Sequence, residues 1–172
     1  MIEIRIANQK DVKYIALLGR VTFAETFGNL FNDNNDLLHY LEQTFSVNKI
    51  KSGLEKENNV FLIAFYKELP VGFAKLKFNS KSEFIKEKYV CQLQKIYVLK
   101  DFLSKKIGFM LQEKLLKIAI QNGNQKIWLS VLESNERAIN FYIKSGFSEI
   151  GEHIFQIGKE KFEFVAMSKK IL

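Results

Sequence analysis

Apolar and polar positions change period several times along this chain. Residues 2–6 alternate, with Ile2, Ile4 and Ile6 on one side, as a short strand does. Residues 11–27 carry Val12, Ile15, Ala16, Leu18, Val21 and Phe23 at helical spacing, and Gly28 marks the stop. A polar turn over 28–36 leads to a second helical region at 37–45 and then 50–54. The dense apolar run 59–66, the turn Lys67-Glu68-Leu69-Pro70 and the run 71–78 read as a hairpin. A charged connection precedes a further strand at 89–98. Residues 104–121 form an amphipathic helix, with Ile107, Met110, Leu111, Leu115, Ile118 and Ala119 on one stripe and Asn122-Gly123 as its end. A strand at 127–132, a short helix at 135–144 closed by Ser145-Gly146, and strands at 147–157 and 162–167 around Gly158 complete the chain. The order β-α-α-β-β-β-α-β-α-β-β predicts an α+β (mixed α/β) fold in a single domain, 1–172.

One strand breaks its own alternation. In 89–98, Cys91 and Leu93 share one face of a regular pleat, whereas Ile96 and Val98 share the other. One extra residue near Gln94-Lys95 restores a single apolar face, which predicts a β-bulge there. The alternative is a regular strand in which Tyr97 is simply the buried residue.

Composition narrows the function classes. Apolar residues make up 47% and aromatics 13%, which excludes a disordered chain. No segment approaches the ~20 uncharged apolar residues of a spanning helix, and the charged N-terminal residues lack the apolar core of a secretory signal. The single cysteine, Cys91, has no internal partner and fits a reducing, cytoplasmic setting. His39 and His153 are far apart in sequence, so no metal site is expected. The net charge of +7 fits an anionic partner, but a bias to Lys, Asn and Ile is also what an A/T-rich coding sequence gives, and only three of the 26 basic residues are arginine (Arg5, Arg20, Arg137). Readers of nucleic-acid grooves lean on arginine, so a nucleic-acid partner is not the expectation.

Two segments carry candidate chemistry. After the irregular strand comes Leu103-Ser104-Lys105-Lys106-Ile107-Gly108, leading into the long helix. A helix N-terminus presents unpaired N–H groups and a partial positive charge, which suits an anion. Ser104 is the predicted cap, Lys105 and Lys106 add charge, and Gly108 permits close approach to the backbone. The alternative is two solvated lysines and a packing glycine. Neither a Walker loop nor the dinucleotide fingerprint is present. The second segment is Asn135-Glu136-Arg137-Ala138-Ile139-Asn140-Phe141-Tyr142-Ile143-Lys144-Ser145-Gly146-Phe147, with Asn135 as helix cap. Tyr142 also fits a plain aromatic core position, and Lys144 a favourable charge at a helix end.

The element order, the irregular strand running into S-K-K-I-G, and the motif N-x-x-A-x-x-F-Y-x-x-x-G-F together resemble the GNAT superfamily of N-acetyltransferases over nearly the whole chain. Thr22-Phe23-Ala24-Glu25-Thr26-Phe27, His39-Tyr40-Leu41-Glu42 and Lys126-Ile127-Trp128-Leu129 are similar to the PaiA-type polyamine acetyltransferase branch. The resemblance implies a central, mostly antiparallel twisted sheet of about seven strands with about four helices. It implies acetyl-CoA as cosubstrate, with the pantetheine arm along Ile96, Tyr97 and Val98 and the pyrophosphate at Leu103, Ser104, Lys105, Lys106, Ile107 and Gly108. Asn135 would bond the pantetheine region, Lys144 would approach the adenosine end, and Tyr142 would protonate the departing thiolate.

The chain departs from the family pattern in two places. The phosphate loop of relatives is usually Q/R-x-x-G-x-G/A; here Leu103 and Lys106 replace the first polar residue and the first glycine, and only Gly108 is kept. The acidic residue that many relatives carry on the irregular strand is Gln94, and an amide cannot act as a general base. Glu25 is the candidate proton acceptor, with an ordered-water relay as the alternative. Phe27 and Tyr40 are candidate acceptor-side residues. The expected reaction is direct attack of a primary amine on the acetyl thioester in a ternary complex. A polyamine acceptor follows from the branch; the chain's positive charge opposes it unless Glu25, Asp33, Asp36 and Glu42 gather at the pocket. Other acceptors are a protein N-terminus or another small amine. A non-catalytic acyl-CoA or nucleic-acid binder is the rival of a different class. A monomer or homodimer is expected.

Overall fold

The computed structural model describes all residues, Met1–Leu172. One seven-stranded sheet runs through the molecule in the order β1-β2-β3-β4-β5-β7-β6. Its strands are β1 (Ile2–Ile6), β2 (Asn59–Tyr66), β3 (Leu69–Lys77), β4 (Val90–Val98), β5 (Lys126–Leu132), β6 (Ser148–Ile157) and β7 (Glu160–Lys170). The helices are α1 (Val12–Phe27), α2 (Asn34–Phe45), α3 (Val47–Leu54), α4 (Ile107–Gln121) and α5 (Glu136–Lys144). There is one helix more than the resemblance implied. Ser46 divides the second helical region: its extended backbone ends α2, and its hydroxyl accepts the Lys49 N–H at 3.2 Å to cap α3.

All strand pairs are antiparallel except β4–β5. The hairpin turn is shorter than its sequence suggested. Lys67 and Glu68 alone make it, with φ of 46° and 70°, and β3 already begins at Leu69. Pro70, which cannot donate to a ladder, stands opposite Phe65 where the register shifts.

Each face of the sheet carries its own core, as strand alternation requires. Leu62, Ala64, Ala74, Leu76, Cys91 and Leu93 pack with Leu111 and Leu115 of α4 and Tyr142 of α5. Phe61, Ile63 and Phe73 face the other way, onto Ile15, Ala16, Leu18 and Phe23 of α1 and Leu41 and Phe45 of α2. Gly19 of α1 faces Phe45, and a β-carbon there would overlap the ring. The glycine therefore lets a fully buried phenylalanine close the contact between the two helices.

The bulge in β4 lies where the change of phase predicted it. Lys75 of β3 pairs with Lys95, yet the next residue, Leu76, pairs with Leu93, so Gln94 is the extra residue. Leu93, Ile96 and Val98 thereby reach the same core, while Tyr97 packs on the opposite face.

Candidate functional site

The parallel pair β4–β5 is short. Only Val90, Cys91 and Gln92 pair with Lys126, Ile127 and Trp128; beyond them the strands have no further cross-pairing. β4 continues along β3, and β5 continues along β7. A cavity of about 890 Å³ occupies this split. Gln94 to Val98 of β4 and Ser130 to Leu132 of β5 form its two edges.

The approach to α4 differs from the sequence expectation. Residues Lys100–Lys105 form a 3-10 turn, and Ser104 lies within it rather than capping α4. The position before α4 belongs to Lys106, which holds a left-handed backbone (φ 59°, ψ 18°) and makes no side-chain cap. That backbone region favours glycine, so the lysine adopts here the conformation that a glycine would hold without strain. Leu103, Lys106, Gly108 and Phe109 all line the cavity, and open space surrounds the position of a β-carbon at Gly108. Ser104, Lys105 and Ile107 do not line it. Lys105 Nζ sits over the Tyr66 ring at 4.6 Å, and Ile107 is fully buried in the core.

Asn135 caps α5 as expected: its Oδ1 accepts the Ala138 N–H at 3.2 Å. Asn135, Ala138, Phe141, Tyr142 and Lys144 border the cavity. Tyr142 is 7% exposed and packs edge-on against Phe141 and Phe147. Burial pushes its hydroxyl well above the usual phenol range, which keeps the proton on the oxygen at neutral pH. Burial does the same to Tyr97, reinforced by the neighbouring phenols of Tyr40 and Tyr142. Cys91 is a core thiol pushed up to about 12 by burial, which keeps it protonated and withholds the thiolate a nucleophile needs.

Of the acceptor-side candidates, Phe27 and Tyr40 line the cavity and Glu25 does not. Glu25 is solvent-exposed, and its Oε2 accepts the backbone N–H of Lys100 at 3.1 Å. It latches α1 to the 3-10 turn and is out of place as a base. The other acids named for the pocket are likewise engaged outside it. Asp33 pairs with Lys159 Nζ at 2.8 Å, Asp36 accepts the Lys159 N–H at 2.8 Å, and Glu42 pairs with Arg20 at 2.9 Å. No carboxylate lines the cavity at all.

Several lining residues escaped the sequence reading. Lys95, Arg137, Ser130 and His153 are among them, together with Phe31, Phe155, Phe162 and Phe164. His153 Nε2 lies 2.8 Å from Ser130 Oγ, and its ring stacks on Phe164. For His153 and Phe155 the signal was an alternation: His153, Phe155 and Ile157 recur with period two along β6, and all three face the cavity.

The model of the acetyltransferase (GNAT) family matches residues 24–147, a stretch holding the bulged strand, the start of α4 and the Asn135–Tyr142 helix. The chain belongs to the GNAT acetyltransferase family. An uncharacterised N-acetyltransferase of Lactobacillus delbrueckii subsp. lactis is 27% identical over 158 residues, covering 90% of this chain and 88% of that protein. A spermidine N(1)-acetyltransferase of Thermoplasma acidophilum is 23% identical over 150 residues, covering 85% of this chain and 88% of its own. The crystal structure of the PaiA N-acetyltransferase of Thermoplasma acidophilum in complex with coenzyme A superposes with a TM-score of 0.76 at 22% identity, covering 99% of each chain. At that identity the likeness establishes the GNAT fold. This GNAT chain is an acyltransferase, and no helix in it is long and apolar enough to cross a membrane.

Proposed function

We propose that the protein transfers the acetyl group of acetyl-CoA to a primary amine by direct attack in a ternary complex. One observation carries this reading: the start of α4, the bulged end of β4 and the Asn135–Tyr142 side of α5 all line a single cavity at the split of the sheet. Lys106, Gly108 and Lys144 suit the phosphate-bearing parts of the coenzyme. Gln94 to Val98 suit the pantetheine arm, which is extended and amide-rich, like a strand. Buried Tyr142 holds its proton and can hand it to a departing thiolate. A phenol near 10 giving a proton to a thiolate near 8.5 is uphill by about 2 kcal/mol from reference values; burial of Tyr142 widens that gap, and loss of solvation by the departing thiolate must offset it.

An alkylammonium with a reference value near 10.4 is only about 0.04% neutral at pH 7, so its proton needs a destination. Glu25 and Gln94 are unsuited. The cavity offers His153, joined to Ser130, and imidazole is the side chain best fitted to take a proton near neutrality. No covalent acetyl-enzyme is required, and buried Cys91 provides none.

Release of free thiol from acetyl-CoA, followed over a panel of amines, tests the proposal. Amine-dependent release at stoichiometry with N-acetyl product supports it. Uptake of the coenzyme with no release for any amine overturns it in favour of a non-catalytic binder. A polyamine acceptor is the second reading, favoured by the likeness to the spermidine acetyltransferase. Spermidine in the same panel tests it, and turnover poorer than that of monoamines would dismiss it.

A further inference from the structure

The backbone at Lys95 belongs to the strand offered to the pantetheine arm, but its side chain has no part in the chemistry above, and the surroundings of that side chain are unusual. It sits directly after the bulge residue, on the face of β4 that looks toward α1 and α2. Its Nζ lies 5.2 Å from the centre of the Phe45 ring. Across the ladder stands Lys75, and Lys49 of α3 is the other charge that bears on it. No acidic side chain pairs with it. A desolvated ammonium without a counter-anion is costly, and an aromatic face offsets only part of that cost.

The cavity beside Lys95 is walled by Phe23, Phe27, Phe31, Tyr40, Tyr97 and Phe162. Phe23 packs on Phe27 and Tyr40 at centroid distances of 4.8 and 4.7 Å, and Phe31 meets Phe162 at 5.3 Å, joining the helical wall to β7. Such a wall suits a flat, apolar body. A polycation would find no carboxylate in it and would meet Lys95.

We infer that the acceptor is a primary alkylamine that carries an aromatic ring and an acid group, with its ring among the α1, α2 and β7 aromatics and its carboxylate paired with Lys95. The inference rests on the acetyl-transfer reading and deepens it. The carboxylate supplies the counter-charge that Lys95 lacks, and the pairing fixes which end of the molecule is presented to the thioester. Burial, with Lys49 nearby, lowers Lys95 to about 8, so the ammonium form still predominates at pH 7 and is available to an anion.

Matched acceptors test this: 4-(aminomethyl)benzoate against 4-methylbenzylamine, L-phenylalanine against phenethylamine, and spermidine. The expected result is a kcat/KM at least tenfold higher for the acid-bearing member of a pair, expressed mainly in KM, with spermidine poorest. In Lys95→Met the preference should collapse toward unity through a rise in KM for the acid. Lys95→Arg should restore part of it. Thermal melts of each variant report folding, and Lys95→Gln replaces Lys95→Met if the latter does not fold. Preference for the decarboxylated partner or for spermidine, or a ratio unmoved by the Lys95 variants, overturns the inference while acetyl transfer stands. Absence of thiol release with every amine overturns both.

Discussion

Lys75 and Lys95 face each other across the β3–β4 ladder, and each is lowered to about 8, chiefly by burial. Like charges placed directly opposite on a sheet repel, and neither lysine has an acidic neighbour to offset this. Because their folded-state values lie below the unfolded value near 10.5, the unfolded chain binds more protons between pH 8 and 10.5. Stability from this pair should therefore rise with pH through that window, by about 1–3 kcal/mol, while below pH 8 the full penalty persists. Thermal melts of the wild type should climb between pH 7.5 and 9.5. Lys95→Met should raise the melting temperature at pH 7 and flatten the climb; an unchanged slope would show that the pair is not its source.

Tyr142→Phe removes only the hydroxyl and leaves the packing against Phe141 and Phe147 intact. Turnover should fall tenfold or more, with coenzyme A affinity by calorimetry within about twofold, since the lost proton is needed only as the thiolate departs. A turnover number equal to wild type would remove Tyr142 from the reaction.

Gly108 borders the cavity with open space where a side chain would point. Gly108→Leu should therefore fold normally and weaken coenzyme A binding by tenfold or more by filling that space. Lys106→Gly separates charge from shape in the same place. It should raise stability by about 1 kcal/mol through relief of the left-handed backbone, and lower coenzyme A affinity through loss of the ammonium. Calorimetric titration reads both variants, and unchanged affinity in both would remove this loop from the coenzyme site.

Gly19→Ala should cost about 1–3 kcal/mol, although alanine is the better helix former, because the new methyl group meets Phe45. Pairing it with Phe45→Leu should recover part of the loss in a double-mutant cycle. Strict additivity would rule out this contact as the cause.

Gln112 lies buried in α4 with neither its amide nitrogen nor its carbonyl oxygen bonded. Gln112→Leu should stabilise the protein by about 1 kcal/mol, read by chemical denaturation. A destabilised variant would mean that the amide finds a partner in solution.

The fold was legible in the sequence because each of its elements has a strong local period. Even the bulge could be read, since the change of phase between Leu93 and Ile96 has one economical repair. What escaped was set by contacts between distant segments. Glu25 looks like a free carboxylate until the Lys100 N–H, 75 residues away, is brought to it. Ser104 looks like a cap until Lys106 takes the left-handed turn, which a lysine does not advertise. Lys95 and His153 reach one cavity from two strands, β4 and β6, that are not neighbours in the sheet, and neither has a motif around it. The proposed acceptor side of the site is thus built from residues scattered over α1, α2, β4, β6 and β7, whereas the segments resembling the coenzyme motifs are each continuous in sequence.

The three-pair seam between β4 and β5 has a mechanical consequence. On one side of it lies a plate of four strands, on the other a plate of three, each with its own ladder complete. Prying the mouth wider by a small hinge at Gln92 and Trp128 would break no backbone hydrogen bond of either plate. What resists is side-chain packing and the polar contacts of Asn32, Asp33 and Asp36 with Lys159 and Glu160, so a bulky guest that loosens them can be admitted without unzipping any part of the sheet.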